Sequence, residues 1–366
     1  MSATRNQVAW SHTLDLPRVA TNEHVGYSDE VWFSMVQRLS FSPDSLAAAI
    51  NHKRNVNIIE RYLNQFSRST VKADINKPIN SHSAAIFYAV GRNEPGLVHI
   101  LLKHGADPSS KSLVDKIPLL AYAVMRARFT VKDCSAVVTV LLAAGAPPTL
   151  IPEDLWKKYI EGPGVTKDLS ACRKHALWCN GYYRESLAKG LNLTLRYLLY
   201  RASRFHKPNP RTQQIAEDLG VTELFQIPYH MVGQYHAAKL VTEQLFSHLT
   251  LNNGKRGRPW VMAFAGLSGH GKTELAKNMG KLLGVAITVV NCAIMQESNS
   301  LFGLTTGYYG SSEGSQLNNF LAQQNQKRSV VFLDEFDKTS QDCRNSLLVP
   351  LSEGMSMSIP KFRLNN

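Results

Sequence analysis

The residues best placed to do chemistry lie in one octet, Gly266-Leu-Ser-Gly-His-Gly-Lys-Thr273. Its spacing is that of a phosphate-binding loop, GxxxxGK[ST]. Glycines let successive backbone N–H groups wrap an anion without Cβ clashes. Lys272 supplies a mobile positive charge for the β- and γ-phosphates, and Thr273 a hydroxyl for Mg²⁺. Gly266, Ser268, Gly269, His270, Gly271, Lys272 and Thr273 are therefore the expected contacts to ATP. A second segment, Ser329-Val-Val-Phe-Leu-Asp-Glu335, is an apolar run ending in two acids. Asp334 would orient Mg²⁺, mostly through water, because that ion dehydrates reluctantly. Glu335 would polarise the attacking water as general base. Alone, each motif could be a turn or a charged strand end. In this order, with Asp334 62 residues after Lys272, they read as the Walker A and Walker B elements of a nucleotide site.

Such residues need a scaffold. The short apolar run Trp260–Ala265 reads as a buried strand leading into the loop, and a helix starting near Lys272 and running to Leu283 would aim its N-terminal dipole at the phosphates. A second strand follows at Ala286–Val290, and Ser329–Glu335 forms the third. This is the alternation of a parallel α/β domain.

Upstream the chain repeats itself. Gly96-Leu-Val-His-Ile-Leu-Leu-Lys-His-Gly-Ala-Asp-Pro108 recurs as Ala136-Val-Val-Thr-Val-Leu-Leu-Ala-Ala-Gly-Ala-Pro-Pro148. Alanine-bearing helix starts precede both, at Ser83–Ala89 and Ile117–Ala123, with a weaker copy at Ser45–Ala49 followed by Asn57–Leu63. Units of helix, turn, helix and Gly-Ala-Asp turn near a 33-residue period resemble ankyrin repeats. Ile117-Pro118-Leu119-Leu120 stands where that family has Thr-Pro-Leu-His. Gly105 and Gly145 sit where a helix end calls for positive φ. Three degenerate repeats fill residues 43–150, after a weakly defined N-terminal segment, 1–42, with a short helix near Asp29–Leu39. Residues 151–227 read as a helical connector. In it, Ser186–Phe205 carries one 3.6-residue apolar stripe, and Ile215–Phe225 a further helix.

The length of 366 residues suits two to three domains. The formal charge of +13 reads as a solvated basic face. No RNA-binding or zinc-ligand pattern accompanies it, so nucleic acid is an unlikely partner. Cys172, His175 and Cys179 lack a fourth ligand for zinc. No unbroken apolar stretch reaches the roughly 20 residues of a membrane span, and the five cysteines show no disulfide framework. The expectation is a chain that is not in a membrane and is cytoplasmic, with mitochondrial as the alternative.

Residues 228–354 resemble the Clp-type AAA+ unfoldases, and within them the second ATPase domain of ClpB-like disaggregases. Val232-Gly233-Gln234 is similar to the element that lies against adenine in that family. Gly307-Tyr308-Tyr309-Gly310 stands where the family has the pore loop whose aromatic grips a threaded polypeptide, and Glu313-Gly-Ser-Gln-Leu317 follows as Glu-Gly-Gly-Gln-Leu does there. Asp334-Glu-Phe-Asp-Lys338 matches Asp-Glu-Ile-Glu-Lys. The resemblance implies ankyrin-type helical repeats followed by a P-loop AAA+ domain over 228–366. It also implies ATP and Mg²⁺ as cofactors, misfolded polypeptide as client gripped by Tyr308 and Tyr309, a homo-hexameric ring, and an ankyrin-bound partner. The family continues with a sensor strand, an arginine finger and a helical lid. None follows Gly354 here, so the resemblance implies an AAA+ core truncated before those elements, with turnover in doubt. The competing reading is an ankyrin interaction scaffold whose nucleotide domain is a vestige or switch.

Overall fold

The computed structural model describes residues 14, 16, 17, 19, 27–37, 39–128, 133–157, 178, 179, 181–205, 208–231, 233–251, 259–267, 269–303, 314–324 and 327–353. The chain divides into two compact units, Met1–Asn209 and Pro210–Asn366.

The first unit is helical: α1 Asp29–Val36, α2 Pro43–Asn51, α3 Val56–Asn64, α4 Arg68–Asp74, α5 Ala85–Arg92, α6 Pro95–Lys103, α7 Leu119–Arg126, α8 Ser135–Ala143, α9 Gly181–Gly190 and α10 Leu193–Arg204. Starts are set locally. Ser42 accepts a hydrogen bond from the Ser45 N–H ahead of Pro43, and Asn55 and Ser67 cap α3 and α4 in the same way. Ends are set by turns that recur. Ala106 N–H donates to Leu101 O and Gly105 N–H to Leu102 O, all at 3.0 Å. Forty residues on, Ala146 and Gly145 make the same two bonds to Leu141 and Leu142. Both glycines have φ +97°, the left-handed cap that glycine adopts without strain.

Helices α2, α5 and α7 pack in succession, and α3, α6 and α8 form a second row, each packed on its predecessor. Small side chains allow this. Ala47, Ala48, Ala49, Ala85, Ala89, Ala121 and Ala123 are all buried. At the far end α9 packs on α7, and a Cβ on Gly190 would lie 2.3 Å from the Val124 carbonyl oxygen.

Two readings of the connector change. The stripe over 186–205 is two helices, broken where Asn192 accepts a hydrogen bond from Leu195 N–H at 2.8 Å and starts α10. A capping side chain competes with helix continuation. The helix read at 215–225 is α11 Pro210–Leu219, ended by Gly220 (φ +67°), then a 3₁₀ turn, Thr222–Gln226. Its buried Ala216, Val221 and Leu224 share a core with Leu275, Met279 and Leu282, so residues 210–227 pack with the second unit.

That unit continues with α12 Ile227–His230, α13 Tyr235–Leu251, α14 Lys272–Leu283, β1 Ala286–Asn291, α15 Ser298–Phe302, α16 Gln316–Gln323, β2 Ser329–Asp334 and α17 Gln341–Glu353. The described sheet is β1 and β2 in parallel, with Ala286 opposite Ser329 and Asn291 opposite Asp334. Helix α14 packs on both strands. A second apolar cluster, Val290, Leu301, Leu317 and Leu347 with Val331 and Leu333, joins the strands to α15, α16 and α17.

Trp260–Ala265 is not the buried strand its composition suggests. It belongs to no ladder, and its residues alternate between half-buried and exposed. Trp260, Met262 and Phe264 lie against the α13–α14 core, and the indole stacks on His248 at 5.3 Å. The two-residue alternation of a strand is present, but among the described residues no hydrogen-bonded neighbouring strand is.

Candidate functional site

The parallel register decides where the two acid-bearing residues go. Because Asn291 pairs with Asp334, both strands end together, at the edge where α14 begins. Helix α14 starts after Gly271, whose φ of +79° is left-handed; Gly269 has φ +80° and Gly266 φ +155°. A side chain at any of these would strain the backbone, although a Cβ at each would meet nothing within 4 Å. Glycine is therefore required by conformation, and the space over the loop is open.

Lys272 folds back on this loop. Its Nζ donates to Gly266 O at 2.7 Å and Leu267 O at 2.8 Å. Thr273, one position on, points to the sheet: its Oγ1 lies 3.3 Å from both Asp334 oxygens, across 61 residues of sequence. A hydroxyl facing a carboxylate is a hard-oxygen donor set of the kind Mg²⁺ takes. Among the described residues no cluster of three or more His, Cys, Asp or Glu could hold a metal. Exposed His270 sits at the loop tip.

Glu335 has φ +53° and ψ +39°, an uncommon conformation for a non-glycine residue. Its N–H donates to Asp334 Oδ1 at 3.1 Å, and its carboxylate accepts from Lys338 Nζ at 2.9 Å. Lys338 was legible only as part of the Asp-Glu-Phe-Asp-Lys string; spacing alone does not mark it as a partner of Glu335. Nearby, burial pushes the Cys292 thiol up to about 11, with Cys343 and the Asp334 charge adding to it, so this thiol stays protonated. Gln316 Nε2 donates to Val289 O at 3.0 Å and Thr288 Oγ1 at 3.3 Å, tying the start of α16 to β1.

Gly233 (φ +77°) and Gln234 precede α13, and Ala238 N–H donates to Gln234 O at 2.9 Å. Helix α12 packs on α14, which carries this segment toward the loop helix. His230 at its end feels the Glu274 charge, yet burial holds its pKa below the ordinary value. Val232, Ser268, Tyr308 and Tyr309 lie outside the described residues, as do Cys172 and His175.

A glycine-rich loop opening a helix beside a parallel sheet with strand-end acids is the arrangement of a P-loop nucleotide-binding domain. Residues 259–358 match the family model of the AAA domain (Cdc48 subfamily). More narrowly, the domain is of the Clp type. The chaperone protein ClpB of Malacoplasma penetrans is 33% identical over 128 residues, covering 33% of this chain and 18% of that protein. The ClpB of Bacteroides thetaiotaomicron is 38% identical over 136 residues, 35% of this chain and 15% of the relative. The mitochondrial disaggregase of Bos taurus is 26% identical over 330 residues, 76% of this chain and 47% of that protein. The chain thus spans less than half the length of these relatives.

Proposed function

We propose that this chain binds Mg·ATP at the Gly266–Thr273 loop and works as a ClpB-type AAA+ protein, coupling hydrolysis to the remodelling of misfolded polypeptide. The observation that carries this reading is the convergence of Thr273 and Asp334 at 3.3 Å, beside a loop whose glycines need left-handed backbone. The loop amides and Lys272 would hold the triphosphate, and the Val232–Gln234 segment the base. Thr273 and Asp334 would hold Mg²⁺. When bound, Mg²⁺ would neutralise charge on the transferring phosphoryl group. Glu335 would draw a proton from the attacking water. Lys272 would exchange its bonds to the Gly266 and Leu267 carbonyls for bonds to phosphate. Tyr308 and Tyr309 would contact the client in a homo-hexamer.

The first unit supports a second part of the reading, a stack of three ankyrin-type repeats presenting a surface to a protein partner. The matching turns at Gly105 and Gly145 and the successive packing of α2, α5 and α7 favour it. The match to the bovine disaggregase is also too long to lie in the AAA+ domain alone. None of the described helices is long and apolar enough to cross a membrane. That relative's name favours mitochondria over the cytoplasm.

Titration of a fluorescent ATP analogue into wild type and Lys272→Ala tests the loop. The variant should bind about ten- to a hundredfold more weakly, the range for lost charged hydrogen bonds. Equal affinity would remove Lys272 from the site. Glu335→Gln should bind ATP normally and hydrolyse it more slowly; unchanged turnover would exclude Glu335 as base.

A further inference from the structure

Three arginines are buried among the described residues: Arg54, Arg184 and Arg201, at 6%, 8% and 6% exposure. Two of them meet a carboxylate of their own unit. Arg54 Nη1 donates to Asp29 Oδ1 at 3.0 Å, and Arg184 pairs with Asp154. Arg201, on α10, has no such acid. Its Nη1 donates to the Tyr197 hydroxyl at 3.0 Å, while Nε and Nη2 are buried without a hydrogen-bond partner. Those two nitrogens form one edge of the guanidinium, the side-on fork that takes both oxygens of a carboxylate. Helix α8 and the 3₁₀ turn Pro148–Leu150, which pack on α10, carry no charged residue.

The guanidinium is held in place for such a contact. Tyr197 and Phe205 lie one helical turn either side of Arg201, whose Cζ sits 5.8 Å and 5.5 Å from their ring centroids. The ring faces attract the cation, and so does the negative C-terminal end of α10. Neither supplies an oxygen to the fork, and a buried charged donor left unpaired costs free energy that pairing returns. The neighbouring cations are engaged elsewhere. Arg196 donates to the Leu191 and Leu155 carbonyls at 3.0 Å and 2.6 Å, and Arg204 lies over the Tyr200 ring at 4.8 Å. One positive charge matches the single negative charge of a carboxylate better than the larger charge of a phosphate.

We propose that Arg201 is a binding site for one carboxylate, supplied by an acidic side chain of a polypeptide docked at the α10 end of the first unit. The source of the carboxylate rests on the reading of this unit as a protein-binding surface; the site itself does not. Tyr197 and Phe205 are half-buried, so their rings reach solvent and can turn aside to admit the acid. Once inside, two charge-assisted hydrogen bonds form where water is excluded, and there they are stronger than at the surface. Arg54 and Arg184 reach the same kind of partner within the chain; Arg201 keeps its fork for one from outside.

The test uses the full chain with four probes: acetate, inorganic phosphate, a blocked glutamate (N-acetyl, α-amide) and its neutral glutamine counterpart, at an ionic strength fixed with chloride. The side-chain ¹⁵Nε–H signal of Arg201, assigned by its loss in Arg201→Lys, is followed in each titration. Acetate and the blocked glutamate should shift it saturably, with Kd in the millimolar range expected of two charged hydrogen bonds to a small anion. The glutamine probe and chloride should leave it in place. Tyr197→Phe, which frees Nη1, should weaken the acetate Kd severalfold. In urea unfolding, acetate should raise the midpoint of wild type over chloride, and Arg201→Met should lose that rise. No shift with either carboxylate overturns the proposal. So does a shift with phosphate alone, or a midpoint rise that survives in Arg201→Met. Binding of acetate without binding of the blocked glutamate overturns the docking of a side chain, and it leaves the reading of the repeat stack, which rests on α2, α5 and α7, intact.

Discussion

From Leu119 to Met125 every residue of α7 is at most 1% exposed, whereas none of the six residues of β2 is fully buried. The first unit spends its apolar residues on closing a stack. The second leaves its strands half-covered and keeps its glycine loop open to solvent. Stacked helices cover each other layer by layer, so every added layer buries the one before it. A phosphate site needs the reverse. Its N–H groups and its lysine must stay reachable, and burial there would cost unpaired polar groups. The closed part of the chain and the open part are therefore built on different physics.

Matched substitutions break or sharpen that contrast. The largest effect is expected at Leu120, which is fully buried. Leu120→Ala should destabilise by about 2–5 kcal/mol in urea unfolding, the core-cavity range. Leu333→Ala in β2, half-buried, should cost only about 1–2 kcal/mol. Equal losses would mean the sheet is as closed as the stack. Next are two helical glycines. A Cβ on Gly190 meets the Val124 backbone oxygen at 2.3 Å, whereas on Gly280 it meets the Ile287 side chain at 2.7 Å. Gly190→Ala should cost about 1–3 kcal/mol. Gly280→Ala should cost less, because a side chain yields more easily and alanine regains about 1 kcal/mol of helix propensity. The smallest effect is one the units share.

Among the described residues, burial lowers the pKa of His82 and His104 in the first unit and of His230 and His248 in the second below 6.5. Below pH 6.5 the unfolded chain takes up the proton more readily than the folded one. Stability is therefore full above that value and falls as the pH drops through the folded-state pKa values. Urea midpoints measured from pH 7.5 down to pH 5 should decline, and the decline should be shallower in His82→Gln. A flat profile in wild type would show that these rings are not held neutral.

How much could be read beforehand follows from locality. The phosphate loop is eight consecutive residues whose backbone demands are written in its glycines, and positive φ appears at Gly266, Gly269 and Gly271. The repeat turns are equally local, which is why Gly105 and Gly145 were legible from self-similarity. Trp260–Ala265 was misjudged because a short apolar run says nothing about whether a neighbouring strand is present. The connector boundary was missed for a related reason. Ala216, Val221 and Leu224 look like any amphipathic set, and only packing shows that their core is shared with α14. The stripe from 186 to 205 hid a break because Asn192 caps a helix through one side-chain bond that periodicity cannot register.

The sequence by itself determined which atoms are available: a glycine loop, a lysine, a hydroxyl and two acids in order, behind a repeating helical segment. These follow from side-chain chemistry and short-range backbone preference. Only the tertiary structure decided which of them meet. Thr273 reaches Asp334 because the parallel register brings both strand ends to the start of α14. Glu335 turns to Lys338 because a left-handed residue and a 3₁₀ turn redirect the chain at that point. Pairing across 61 residues is a property of the sheet, and no local preference encodes it.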